Sequence, residues 1–137
     1  MPQTTLVSIE HTVAVSAPIK DVFERWSRME EFPSFMEGVR ELSWLDDKRF
    51  LLKSEASGQV LESVCELTLR IPDQRMAWRT ISGPDSSGVV SFQATDAGVT
   101  EVTLKMLYDP ETGWSDREEL ERRLALNLGR FKALVEG

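Results

Sequence analysis

The chain has 137 residues, 41% of them hydrophobic and 28% charged, and its four tryptophans and six phenylalanines are too many large rings for a disordered tail, so one domain over residues 1–137 is predicted. A formal net charge of −7 repels phosphate backbones and sets nucleic acid aside as a partner. With Cys65 as the one cysteine and His11 as the one histidine, an internal disulfide and a multi-cysteine zinc site are excluded.

Met1 to Val7 lacks a basic cluster followed by an apolar block, and no run approaches the roughly 18 apolar residues of a membrane span, so no integral membrane segment and a cytoplasmic location are expected. From Val7 to Val15 the residues alternate, with Val7, Ile9, His11, Val13 and Val15 on one side, which predicts a half-buried strand. Pro18 suits the first position of a helix, and Ile19, Val22, Phe23 and Trp26 follow at helical spacing. The ring-rich segment from Glu30 to Gly38 is broken by Pro33 and Gly38, so it reads as a second short helix or a turn.

Six further strands are predicted over Val39–Leu45, Arg49–Ala56, Val60–Ile71, Met76–Ser82, Val89–Ala94 and Val99–Tyr108. The turn-forming pairs between them lie at hairpin intervals, which makes the sheet an antiparallel meander. Asp109-Pro110 ends the last strand, and Ser115 with Glu118 forms a capping-box pattern that starts a helix running to about Val135. Leu120, Leu124, Leu128, Phe131, Leu134 and Val135 share one face of that helix, so it packs on the sheet. An antiparallel sheet with helices segregated to one face is an α+β fold.

Particular words carry a resemblance. They are Val15-Ser16-Ala17-Pro18-Ile19 leading into Val22-Phe23 and Trp26, Phe32-Pro33-Ser34-Phe35-Met36-Glu37-Gly38-Val39, Ile71-Pro72-Asp73 before Ala77-Trp78-Arg79, Tyr108-Asp109-Pro110, and Leu128-Gly129-Arg130-Phe131-Lys132 running on to Glu136. In these words and in element order the chain resembles the polyketide cyclase/dehydrase group of the START-like, pollen-allergen-like helix-grip superfamily (SRPBCC). The resemblance implies a seven-stranded antiparallel curved sheet wrapped around the long C-terminal helix, two short helices after the first strand, and a cavity between helix and sheet. The superfamily includes lipid-transfer proteins, coenzyme-Q-binding proteins and aromatase/cyclases, so the implied ligand is apolar: a polyketide, a quinone or isoprenoid, or a lipid-like molecule.

Asn127 lies inside the apolar stripe, where an amide is costly unless bonded, and it either contacts a ligand or bonds a backbone group. His11, on the apolar parity of the first strand, is either a proton shuttle or a satisfied end-of-sheet residue. Ser63 and Cys65 share a strand face with Leu61, Leu67 and Leu69 and leave room there for a ligand; Cys65 reads as a small hydrophobe and not as a nucleophile. Trp78, Phe92, Met106 and Tyr108 repeat one parity across neighbouring strands, and together with Leu120, Leu124 and Phe131 of the helix they are candidate wall residues. Phe35, Met36 and Trp114 are expected to border the opening.

These residues suit a binding or carrier protein for an apolar small molecule, with no cofactor and no metal, since no Gly-rich phosphate loop, paired-histidine zinc spacing or acidic calcium loop is present. The alternative is a polyketide aromatase/cyclase or dehydratase with His11 as base, Tyr108 as acid and Asn127 as enolate stabiliser. A third reading is an interaction module whose aromatic rim docks a protein partner or a second copy as a homodimer.

Overall fold

The alternation that begins at Val7 becomes strand β1 (Val7–Val15), and helix α1 (Ile19–Ser27) follows with Val22, Phe23 and Trp26 buried along one side. Pro18 stands at the N-cap, one place before its predicted position, and its carbonyl accepts the Asp21 and Val22 N–H groups at 3.0 and 3.1 Å. The computed structural model describes residues 7–56, 58–83, 86–96, 98–108 and 117–137. The segment with Pro33 is a 3-10 helix (Met29–Ser34) that buries Met29 and Phe32. Then come β2 (Val39–Trp44), β3 (Arg49–Ala56), β4 (Gln59–Ile71), β5 (Arg75–Ser82), β6 (Ser86–Asp96), β7 (Val99–Tyr108) and the long helix α2 (Arg117–Glu136). Of the predicted bounds, β6 differs most. It starts at Ser86, because Ser86, Ser87 and Gly88 pair with Tyr108, Leu107 and Met106 although none of the three has strand-forming character of its own.

The seven strands form one sheet in the order β1-β7-β6-β5-β4-β3-β2, every pair antiparallel. Strands β2 to β7 are the expected meander, and β1 joins at the far edge beside β7. The sheet curves as a half-barrel, and α2 buries Leu124, Leu128 and Phe131 on its concave side. Two side chains of α2 also reach backbone groups of β1 and the residue after it. Lys132 Nζ donates to the Ala14 carbonyl at 2.8 Å, and the Ser16 N–H donates to the Glu136 carboxylate at 2.7 Å.

One face assignment changes. Leu69 was expected beside Cys65 and Leu67, yet it is exposed. Leu67 pairs with Trp78 and Leu69 with Ala77, so Thr68 is an extra residue on β4. A bulge of this kind reverses the parity beyond it, and Leu69 takes Ala77's side of the sheet.

Candidate functional site

Directly opposed residues of antiparallel strands point to the same face. The pairs Leu67–Trp78, Trp78–Gly88, Gly88–Met106 and Met106–Ile9 therefore make one row across five strands, and its large side chains floor a cavity of about 170 Å³. The roof is the face of α2 bearing Leu120, Leu124 and Asn127, and one side is closed by the chain from Met29 to Val39.

Gly88 gives the row its shape. A Cβ there would overlap Cζ2 of Trp78, so the indole occupies the space a side chain on β6 would take. Gly88→Ala forces that ring to move and should cost about 1–3 kcal/mol, the usual penalty of overpacking. Denaturant unfolding checks this, and an unchanged midpoint would mean the ring is held less tightly than the contact requires.

Few polar groups face the cavity. Ser54 and Ser63 are buried on the β3–β4 wall, and Ser86 is within 3.1 Å of the Thr80 hydroxyl. Asn127 is engaged on both sides of its amide: Oδ1 accepts the Glu37 N–H at 2.8 Å, and Nδ2 donates to the Glu37 carbonyl at 3.1 Å. The backbone alternative for this residue is thus realised, and its amide fixes the loop between the 3-10 helix and β2 against α2.

Charges gather where that loop meets α2. Arg122 donates to Glu119 at 2.7 and 3.0 Å and to Glu37 at 3.2 Å. The Glu119 and then the Glu37 carboxylate hold the Arg122 guanidinium above its ordinary range, and Arg122 in turn keeps the Glu119 carboxyl below its own. Arg123, with 16% of its side chain exposed, lies on the cavity wall and donates from Nη1 to the Glu55 carbonyl at 2.8 Å. A Cβ on Gly38 would be 2.6 Å from that nitrogen, and the Gly38 φ of +91° is one that L side chains rarely adopt.

Of the candidate residues, Met36, Ser63, Trp78 and Met106 lie on the cavity wall, as do Tyr108, Leu120, Leu124 and Asn127. Phe35, Cys65, Phe92 and Phe131 are buried off that wall. The three rings among them belong to an aromatic cluster, with Phe131 5.0 Å from Trp26 and 6.0 Å from Phe35, and Trp26 6.4 Å from Phe92. Cys65 pairs with Phe50 and Thr80 across the sheet, and burial pushes its thiol up, away from the thiolate a nucleophile needs. Phe35 and Met36 are interior, so neither is an exposed side chain at the opening, and Trp114 falls outside the described residues.

His11 shares a face with Leu104 by register, yet it is exposed and off the cavity wall, although Ile9 and Val15 of the same parity in β1 are buried. Sequence reasoning passed over Arg123, Trp26, Met29 and Phe32, which all reach the cavity. For Arg123 a signal existed: it is three residues after Leu120 and four before Asn127, the spacing of one helix face. Among the described residues no group of three or more His, Cys, Asp and Glu is placed to hold a metal ion, and no helix is long and apolar enough to cross a membrane.

A curved antiparallel sheet gripping a helix over an apolar cavity is the helix-grip architecture of START-like proteins. The chain belongs to the family described as polyketide cyclase / dehydrase and lipid transport, whose model matches residues 15–124. It is 30% identical over 133 residues, 93% of this chain and 89% of the other, to an uncharacterized 17.2 kDa protein from the melC2-rnhH intergenic region of Streptomyces lincolnensis. The crystal structure of DR_A0006 from Deinococcus radiodurans superposes with a TM-score of 0.79 at 29% identity, covering 95% of this chain and 98% of that one. The ZhuI aromatase/cyclase from Streptomyces sp. R1128 superposes with a TM-score of 0.83 at 18% identity, covering 96% and 94%.

Proposed function

We propose that this protein binds and carries an apolar small molecule, of polyketide, quinone or isoprenoid, or lipid-like character, in the cavity between the sheet and α2. The observation that carries the reading is the wall itself: hydrocarbon and aromatic side chains from six strands, α1, the 3-10 helix and α2, with polar groups few and several already bonded within the protein. Pockets that bind apolar ligands have this make-up.

A second reading, an aromatase/cyclase or dehydratase, is favoured by the buried position of Tyr108 on the wall and by the family to which the chain belongs. It needs a base and an enolate stabiliser as well. His11 is off the wall, and the Asn127 amide, although on the wall, is committed to Glu37, so neither stands ready for those two roles.

The deciding experiment compares wild type, His11→Gln and Tyr108→Phe for ligand binding and for cyclisation of an aromatic polyketide mimic. A carrier retains the mimic saturably, leaves its cyclisation rate at the background value and is unaffected by His11→Gln. Acceleration by wild type that Tyr108→Phe reduces about a hundredfold or more, the usual contribution of a positioned acid, with binding intact, would replace the carrier reading by the enzymatic one.

A further inference from the structure

We infer that the ligand carries a carbonyl oxygen, and that the hydroxyls of Ser54 and Ser63 on the β3–β4 wall seat it by donating to it together. The inference rests on the carrier reading and adds the functional group the cavity selects and the place where that group lies.

Ser54, Ser63 and Thr100 are the buried polar side chains among the described residues. Thr100 is satisfied, since its hydroxyl donates to the Ala17 carbonyl at 2.8 Å. Ser54 and Ser63 are 5% and 7% exposed, both line the cavity, and neither hydroxyl has a hydrogen-bond partner among the described residues. Buried hydroxyls are nearly always bonded, so two left open on one wall of one cavity call for a partner that enters through it. Ser86 makes the contrast: it too lines the cavity, but it shares a hydrogen bond with Thr80 at 3.1 Å. Gly83, whose main chain lies so near that a Cβ would stand 2.9 Å from Ser63 Oγ, has no side chain to offer that hydroxyl.

The register makes the two serines neighbours. Ser54 pairs with Leu61 and Ser63 with Leu52, so they stand diagonally on one face of adjacent strands, roughly 7 Å apart. They do not bond each other, and a single ligand atom between them can meet both. Water can serve both hydroxyls while the cavity holds no ligand, but an apolar molecule that displaces it strands them unless it brings an acceptor of its own. Counting protons chooses the acceptor. A carbonyl oxygen has two lone pairs and takes both O–H donors with none left over. A ligand hydroxyl bridging the same two oxygens adds a third proton, and one of the three then lacks an acceptor in a lining of hydrocarbon and rings. From this seat the ligand's body extends along β4 toward Leu67 and across to Trp78 on β5.

The probes are 2-acetylnaphthalene, 2-isopropenylnaphthalene, in which a CH2 group replaces the oxygen, and 1-(2-naphthyl)ethanol, each measured by equilibrium dialysis against the whole chain. Differences in the probes' own solubility cancel when each affinity is compared between wild type and variant. The double variant Ser54→Ala, Ser63→Ala should lower the ratio of ketone to alkene affinity at least tenfold, the scale of two neutral hydrogen bonds, and either change alone about threefold. The ratio of alcohol to alkene affinity should fall no more than about threefold in the double variant. In wild type the C=O stretch of the bound ketone should lie below its value in hexane, the mark of donated hydrogen bonds, a measurement that needs no variant to fold. A ketone-to-alkene ratio unchanged in the double variant, an alcohol that falls as far as the ketone, or a bound C=O stretch at its hexane value would overturn the carbonyl seat and leave the carrier reading standing. Saturable binding of none of the three probes would overturn both.

Discussion

Phe131→Ala should lower the unfolding free energy by about 3–5 kcal/mol, the range measured when a fully buried phenylalanine is truncated. Phe131 has no exposed surface, and its ring packs edge-on against Trp26 at 5.0 Å while Phe35 lies 6.0 Å away. Those rings come from α2, α1 and the end of the 3-10 helix, so deleting one opens a void between three separate segments that are unable to close together without moving. A domain of this size is held by about 5–15 kcal/mol in total, so the variant should unfold at markedly lower urea with an unchanged slope. Because Phe131 is off the cavity wall, whatever fraction stays folded should bind ligand as wild type does. A loss below about 1 kcal/mol would mean that the neighbouring rings collapse into the gap.

Asn127→Leu should cost about 1–2 kcal/mol, since it strands the N–H and the carbonyl of Glu37 together at a half-buried site, toward the lower end of the roughly 1–3 kcal/mol that a buried unpaired polar group costs. The side chains are similar in size, so steric loss contributes little. Amide hydrogen exchange gives the sharper measurement: protection of the Glu37 N–H should fall in the variant while that of the β4 and β7 amides falls only with global stability. Undiminished protection at Glu37 would show that another acceptor takes over and that the amide of Asn127 is dispensable to the loop.

Much of the architecture was legible in periodicity. The bounds of β1, β3 and β7 coincide with the runs of alternation, and the stripe of Leu124, Leu128 and Phe131 sets the buried side of α2. The misplaced residues share a cause, which is that local pattern carries no record of what lies across from it. Leu69 has the right spacing for the inner face, but a bulge at Thr68 turns it out. His11 has the right parity, shared with the buried Ile9 and Val15, and is nonetheless exposed. The partner of Asn127 is a backbone group 90 residues away, and no spacing within α2 points to it.

The division of the aromatic residues was equally hidden. Phe131 and Leu124 share one helical stripe, yet Trp26 of α1 packs on the first while the cavity lies beside the second, so ring count alone does not separate wall from filling. Charge was the better guide that went unused: an arginine at the spacing of a buried stripe is a rarer event than another leucine there, and it marks the place where the interior meets something polar.

The position of β1 at the far edge bears on the order in which the molecule can assemble. Val7 pairs with Tyr108 and Val15 with Thr100, so closing that edge joins stretches of chain up to about 100 residues apart, whereas β2 to β7 grow by hairpins between neighbours. During synthesis the first strand therefore waits, its apolar alternate residues unpaired, until β7 has emerged, and Lys132 and Glu136 reach Ala14 and Ser16 later still. The meander is the part able to form early; the slow step is capture of the waiting strand, and it is during that interval that the chain is most open to pairing with the wrong neighbour.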